Sequence, residues 1–286
     1  MTANPKNQSF SRIDTFVNKC ERCHAWEALT PWKSSPAIER GSHVHAALES
    51  LGKMLLKPDC TSREALATIL PNPPVGPLKE ANLKSYLVRG AEVLEHLSPI
   101  AVEEWFEKSE KYPRLVGKID LVSAVTPITD SQGYITGSKS GLCVIDYKTT
   151  TSKAYAKSEE AARDSLQLQI YALIKGIRNC GFVYFLPEGP PFGVFVEFTD
   201  SELKVADVFL RDIMSVIEER WASAAYPKGP GDSLRITNVP EHLQVHTKDF
   251  LYDLSVFAPG PETRPFINSK SSQHRERCLG ITDDKS

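Results

Sequence analysis

No stretch of this 286-residue chain approaches the roughly 20 consecutive apolar residues that a membrane-spanning helix needs, so no membrane association is expected. The first residues, Met-Thr-Ala-Asn-Pro-Lys-Asn-Gln-Ser, carry no apolar run of signal-peptide length, and a cytoplasmic protein is expected. Cysteine is scarce: six in the whole chain do not suggest a disulfide scaffold. Cys143 lies in an apolar run and Cys180 ends a helix, so both read as small core residues. Cys20 and Cys23 form a lone C-x-x-C beside His24. A structural zinc needs four ligands and no second pair follows, so a partly buried thiol pair is the favoured reading. An excess of charge is missing too. Lys and Arg number 34 against 36 Asp and Glu, a net charge of −2, so any nucleic-acid contact has to come from a local patch. No G-x-x-x-x-G-K-[ST] occurs, and the chain carries no evident motor of its own.

A hydrophobic share of 41% is ample for a sizeable core, and its patterning suggests how that core is built. Residues 9–30 open with Ser9 or Ser11 as an N-cap and continue with Ile13, Phe16, Val17, Ala25, Trp26 and Leu29 at helical spacing. After a Pro- and Ser-rich break at 31–36, a second helix over 37–56 carries the stripe Val44, Ala47, Leu48, Leu51 and Leu55. Pro71-Asn-Pro-Pro-Val-Gly-Pro77 breaks any helix, and 78–97 reads as a third, with Leu83, Leu87, Leu94 and Leu97 on one side. The period then changes. Runs at 100–106, 115–125 and 141–148 are short, rich in β-branched residues, and read as consecutive strands. A helix over 161–178, strands at 182–186 and 192–198, and a helix at 201–224 follow, the last with Val205, Val208, Phe209, Ile213, Val216, Ile217 and Trp221 as its stripe. From about 227 the periodicity fades, and only 250–257 looks able to form another element. The expectation is one α/β domain over 1–226, including the N-terminal helices, and an irregular extension over 227–286.

The chemistry concentrates in two of the strands. Side chains alternate along a strand, so Asp146 and Lys148 share a face with Leu142 and Val144, while Cys143, Ile145 and Tyr147 take the other. A strand apolar on both faces is a buried central one, and a carboxylate and an ammonium at its end cost desolvation unless they meet a partner. In the strand before it, Lys118, Asp120 and Val122 share a face. If the two strands pair antiparallel, Asp120 and Asp146 converge beside Lys148, and two close carboxylates want a divalent cation between them. That arrangement suits phosphodiester hydrolysis. Asp120, Asp146 and the backbone carbonyl of Tyr147 are hard oxygen donors for Mg²⁺, which polarises a phosphate and activates water. Lys148 would orient that water or stabilise the charge of the transition state. An exposed Asp146–Lys148 ion pair is the bland alternative, and the carboxylate on the flanking strand weighs against it.

Further candidates stand on helices. His45, in Gly41-Ser-His-Val-His45, could add an imidazole ligand and shift the preference toward Mn²⁺; a surface histidine bonded to Glu49 is the alternative. Gln167 and Tyr171 are one helical turn apart and could bond DNA phosphates or the catalytic lysine; an ordinary amphipathic boundary is the alternative. Lys111, Arg114, Lys118, Lys139, Lys153 and Lys157 flank the two strands and form a candidate basic patch that predicts salt-sensitive binding.

Gly41…His45, Gly117…Asp120, Val144-Ile145-Asp146-Tyr147-Lys148-Thr149 and Gln167…Tyr171 occur in the order G-x-x-x-H, G-x-x-D, D-Y-K-T, Q-x-x-x-Y. In this order they resemble the PD-(D/E)XK nuclease superfamily, specifically its RecB-like exonuclease branch, and Ser11-Arg-Ile-Asp-Thr-Phe-Val-Asn-Lys-Cys20 looks like that family's opening helix. The resemblance covers about 9–226. It implies an α/β/α restriction-endonuclease-like core around a central mixed sheet and Mg²⁺- or Mn²⁺-dependent cleavage of DNA. It also implies metal and catalytic roles for His45, Asp120, Asp146, Tyr147 and Lys148, and substrate contacts from Gln167 and Tyr171. Some relatives hold an iron–sulfur cluster with one N-terminal and three C-terminal cysteines; here only Cys278 lies in the tail, so no cluster is expected.

An exonuclease of recombination, repair or phage DNA processing is the first expectation. An endonuclease acting in defence against foreign DNA shares the same core chemistry. A catalytically inactive DNA-binding or docking module is disfavoured by the presence of every motif residue, and a metal-free RNA nuclease would have no use for Asp120 and Asp146 together. DNA is the expected partner. Related exonucleases act as rings or with a partner protein, and both arrangements stay open.

Overall fold

The computed structural model describes residues 7–19, 35–107 and 110–223. The chain divides into two units, one drawing on Met1–Trp32, Glu107–Val116 and Val208–Ser286, the other on Lys33–Phe106 and Gly117–Asp207. In the first, α1 (Phe10–Asp14) runs into a π-helical turn (Thr15–Lys19), and Gln8 bridges Leu115 in parallel fashion through two backbone hydrogen bonds of 2.8 and 2.9 Å. Ile13, Phe16, Tyr112 and Leu115 are buried there, and Arg114 pairs with Glu218 at 3.1 Å. Cys20, Cys23 and His24, the rest of the helix expected over 9–30, and everything expected beyond 223 lie outside the described residues.

The second unit is a five-stranded mixed sheet with helices on both faces. It begins with α2 (Pro36–Leu55), where Ser35 accepts a hydrogen bond from the Ile38 N–H and Pro36 occupies the first turn. α3 (Ser62–Ile69) and α4 (Glu80–Glu95) follow. Then come β1 (Pro99–Glu107), β2 (Val116–Thr129) and β3 (Ile135–Thr149). After α5 (Glu159–Arg163) and α6 (Leu166–Lys175), β4 (Asn179–Phe185) and β5 (Phe192–Glu197) complete the sheet, and α7 (Asp200–Ser223) begins in this unit. The spatial order is β1-β2-β3-β4-β5. β2 and β3 pair antiparallel, β3 and β4 parallel, β4 and β5 antiparallel. A parallel pair needs a long crossover, which α5 and α6 supply. Leu48, Leu51, Leu83 and Leu87 pack with Leu121, Ile145, Tyr147, Val183 and Phe185 on one sheet face. α6 lies against β3 and β4 on the other, with Leu168, Ile170 and Phe182 fully buried.

Several expectations change in detail. The helix expected over 161–178 is two: Ser158 caps α5, the backbone turns extended at Ser165, and α6 restarts there. Gly176, at φ +64°, ends α6 in the left-handed conformation, so Ile177 lies beyond it and Cys180 belongs to a strand rather than a helix end. α3 has no counterpart in the sequence reading, although Thr61-Ser-Arg-Glu64 is a complete capping box. β3 starts at Ile135, six residues before the expected 141, because its outer half is mostly polar and exposed and is held by its ladder with β2 rather than by an apolar face. On α7 the buried line is Ala206, Leu210, Met214 and Ile217, whereas Val205 and Val208 are 70% and 43% exposed. The periodic reading followed branched residues and passed over Ala206, one position away. Cys143 and Cys180 are fully buried; burial pushes the Cys143 thiol up to about 12. No helix among the described residues is long and apolar enough to cross a membrane.

Candidate active site

α2 carries the first candidate. Its buried stripe, Val44, Ala47, Leu48 and Leu51, faces the core, and His45 stands one residue off it. A Cβ at Gly41 would come within 3.1 Å of Thr149 Oγ1, so the glycine one turn before His45 lets the helix lie close to the end of β3. His43 is occupied elsewhere. Its Nδ1 accepts the Leu78 N–H (3.2 Å), which leaves Nε2 to donate to the Pro74 carbonyl (2.7 Å) and pins the Pro-rich connection.

The antiparallel register sets Leu121 opposite Ile145 and Val122 opposite Val144, which brings Asp120 and Asp146 to the next position of the ladder. Both are buried, 6% and 3% exposed. The Tyr147 N–H donates to Asp120 Oδ2 at 2.7 Å. His45 Nδ1 lies 3.4 Å from the same oxygen, while Glu49 pairs with Lys53 instead. Burial works against protonation of His45, yet the Asp120 hydrogen bond and the charges of Asp120 and Asp146 outweigh it and hold the imidazole above its ordinary value.

Asp146 has its own set of partners. Lys148 Nζ is 2.6 Å from Oδ2, and Gln167 Nε2 donates to Oδ1 at 2.6 Å. Gln167 Oε1 in turn accepts from Lys148 Nζ (3.0 Å), so the amide aligns both members of the pair. Its Nε2 also donates to Tyr171 OH (3.0 Å), and that hydroxyl donates to the Lys118 carbonyl (2.9 Å). Gln167 and Tyr171, expected as DNA contacts, are 8% and 4% exposed and spend their polar atoms inside the protein, because α6 lies flat on the sheet. Burial pushes the Asp146 carboxyl up to about 6, with Lys148 pulling it back and Asp120 pushing it further. Tyr171 is raised well above its ordinary range by burial first and by the two aspartates second.

Glu103 of β1 joins this site and was missed by the sequence reading. It is a non-glycine residue at φ +53°. Val102 before it packs against Gly52 of α2, whereas Glu104 reaches Lys175 (2.7 and 2.8 Å) and Phe106 meets the Tyr171 ring edge-on, both on α6. Residues 102 and 104 would share a face in a regular strand. The left-handed residue between them switches faces and leaves Glu103, with its side chain 5% exposed, in an ion pair with Lys118. The donor atoms of His45, Glu103 and Asp120 all lie within 4.8 Å of one another. Burial raises the Glu103 carboxyl, offset by Lys118; Lys118 is itself held above its ordinary value by Glu103, against partial burial. A signal was available: adjacent Glu103 and Glu104 in an apolar strand must take opposite faces, so at least one enters a covered side.

Of the remaining basic candidates, Lys111, Lys153 and Lys157 stand over aromatic rings. Lys153 donates to the Gln132 carbonyl and sits over the Tyr134 and Phe192 rings, and Lys157 lies over Phe182. Lys111 and Arg114 belong to the other unit. A cleft of about 550 Å³ opens beside the end of β3, with Arg40, Asn82, Tyr86, Thr149, Thr150 and Thr151 in its wall.

A family model, the PD-(D/E)XK nuclease superfamily, matches residues 7–176. The chain belongs to this superfamily. Its mixed sheet with helices on both faces is the superfamily's restriction-endonuclease-like α/β core. No curated protein sequence matches the chain. Among solved structures it is similar to a protein of Eubacterium rectale, provisionally described as an exonuclease, at 15% identity and a TM-score of 0.43, covering 76% of this chain and 83% of that one. It is also similar to SSO0001, at 14% identity and a TM-score of 0.26, covering 61% and 74%.

PD-(D/E)XK nucleases hydrolyse phosphodiester bonds and depend on a divalent metal. The donors present fit such a cation: the buried carboxylate of Asp120, the partly buried one of Glu103 and one imidazole within 4.8 Å, with Asp146 outside this trio but close enough for its charge to act on His45.

Proposed function

We propose that this chain is a Mg²⁺- or Mn²⁺-dependent deoxyribonuclease that removes nucleotides from free DNA ends. The observation that carries the reading is the Asp146–Lys148 pair, 2.6 Å apart at the buried end of the central strand and aligned by Gln167. A structural ion pair would settle both charges. Here burial, with the charge of Asp120 added, pushes the carboxyl up to about 6 even beside its own ammonium, and a further cation close by would favour its ionised form.

In this reading His45, Asp120, Asp146 and the Tyr147 carbonyl hold the cation, which supplies charge neutralisation at the scissile phosphate. Lys148 orients the attacking water and stabilises the charge that builds on the phosphate. Gln167 keeps Lys148 and Asp146 in register, and Tyr171 anchors Gln167 to the backbone of β2, so both act by positioning rather than by touching DNA. Preference for an end is supported by the cleft. About 550 Å³ is room for a nucleotide or two of a frayed strand, and Arg40 of α2 and Asn82 of α4, both in its wall, offer phosphate donors. Work of this kind belongs to recombination, repair or phage DNA processing, in the cytoplasm and with or without a partner protein. Assignment to the RecB-like branch is supported by the order Gly41…His45, Gly117…Asp120, Asp146-Tyr147-Lys148 and Gln167…Tyr171.

The test compares wild type with Lys148→Ala on end-labelled linear duplex, single-stranded and covalently closed circular DNA, each with Mg²⁺, Mn²⁺ or chelator. Linear DNA is expected to be degraded from its ends while circles survive, with loss in chelator and a drop of at least about a hundredfold in the variant. Nicked or linearised circles would make it an endonuclease. Intact DNA in every arm would make it a binding module.

A further inference from the structure

We propose that Glu103 is an additional protein ligand for the divalent cation, and that the Lys118 ammonium holds the cation's place until it arrives. The inference rests on the metal-dependent reading above and extends it to two residues outside the expected ligand set.

Charge is the first argument. Asp120 and Glu103 bring two negative charges to one buried spot, and the only cation paired with Glu103 among the described residues is Lys118. With the imidazole of His45 neutral, as a metal ligand must be, one ammonium leaves that spot a charge short; a divalent ion balances it. Reach is the second. Donors bonded to Mg²⁺ or Mn²⁺ at about 2.0–2.2 Å stand some 3–4.4 Å from one another, and the His45, Glu103 and Asp120 atoms fall within 4.8 Å before any adjustment. The third observation is independent of the acidic cluster. The Tyr147 hydroxyl is buried, with the residue 2% exposed and no hydrogen-bond partner among the described residues. Its ring stands edge-on to His45, and Asp120 and Glu103 both act on it electrostatically, so it lies toward the same spot with its polar atom unspent. A buried hydroxyl without a partner costs about 1–3 kcal/mol, a cost that a hydrated ion held by the neighbouring groups would remove. The backbone agrees with this purpose. A left-handed Glu103 is unfavourable by roughly 1–2 kcal/mol, and what it achieves is to turn this carboxylate toward Asp120 and His45. Lys118 has somewhere to go when displaced, since its side chain is 37% exposed.

The experiment is Mn²⁺ titration of the full chain, by calorimetry and by loss of the free-ion electron paramagnetic resonance signal, on wild type, Glu103→Gln, Lys118→Met and the double variant. Glu103→Gln is expected to weaken Mn²⁺ binding on the order of 10–100-fold. Lys118→Met is expected to tighten it several-fold, because it removes the competing ammonium, and to lose Tm in chelator that Mn²⁺ restores. In the double variant the tightening disappears. If Glu103→Gln fails to fold, Glu103→Asp, which keeps the charge and shortens the reach, takes its place with the same expected direction. Unchanged affinity in Glu103→Gln, or Lys118→Met that is destabilised without tightening Mn²⁺, overturns the proposal and leaves an ordinary ion pair. Absence of Mn²⁺ binding by wild type itself would instead overturn the metal-dependent reading on which it rests.

Discussion

Burial pushes the Asp146 carboxyl up to about 6, against the pull of Lys148 and with the push of Asp120. A carboxyl raised in the native state binds its proton more tightly there than in the unfolded chain. The stability this group lends is therefore present below its ordinary value near 4 and is lost as pH rises through about 6. Asp146→Asn mimics the protonated form. In chelator at pH 7.5 the variant is expected to be more stable than wild type by on the order of 2 kcal/mol, with the gap closing toward pH 4. Urea midpoints across that range read the effect; a variant less stable at pH 7.5 would mean that attraction to Lys148 outweighs desolvation. Mn²⁺ affinity of wild type should fall below about pH 6 for the same reason, since the proton competes for the carboxylate. The sequence points to both causes, through the apolar neighbours of residue 146 and the carboxylate on the flanking strand, but not to their size. The values of burial and of the Asp120 charge come from register and from α6.

Two strands and a helix hand the active-site geometry from one to the next. Gly117 of β2 has no Cβ because one would stand 2.4 Å from the Phe106 ring of β1. Phe106 rests edge-on against Tyr171 of α6 at 6.1 Å between centroids, and Tyr171 carries Gln167 and through it Lys148. Gly117→Ala is expected to displace the ring, cost about 1–3 kcal/mol in stability and lower kcat with KM nearly unchanged. Adding Phe106→Leu should recover part of both. Steady-state kinetics with thermal unfolding of the single and double variants decides it, and an additive double variant would break this chain of contacts. Among elements, those with a strong period were legible: α2 and α4 fall within two residues of the ranges expected from their leucine spacing. α3 was not: Ala65, Leu66, Ile69 and Leu70 do form a stripe, but over only eight residues, about two turns. The break at Asp164 and Ser165 was masked because Ala162, on its N-terminal side, stands at helical spacing from Leu166, Ile170 and Leu173 beyond it. The exposed half of β3 has no apolar alternation to announce it and is held by its partner strand.

Across the molecule, 34 basic and 36 acidic residues leave no excess to attract DNA from afar, so binding depends on a few placed charges. Arg40, in the wall of the cleft and without an ion-pair partner among the described residues, is the foremost of them. Arg40→Ala is expected to make the plot of log affinity against log salt shallower by about 1 and to raise KM while sparing kcat. Fluorescence anisotropy of labelled single-stranded DNA in chelator tests the first part, and an unchanged slope would take Arg40 off the phosphate path. The sequence by itself determined the family and the strand faces and singled out His45, Asp120, Asp146 and Lys148 as candidates, because side-chain alternation and motif spacing are local properties of a chain. It also placed Gln167 and Tyr171 on one helix face. What it could not decide was which way those two would spend their polar atoms, or that Glu103 and Lys118 would meet beside Asp120. Those outcomes depend on β1 packing beside β2 and on one left-handed residue that switches a strand's faces, and contacts between distant segments exist only once the sheet has formed.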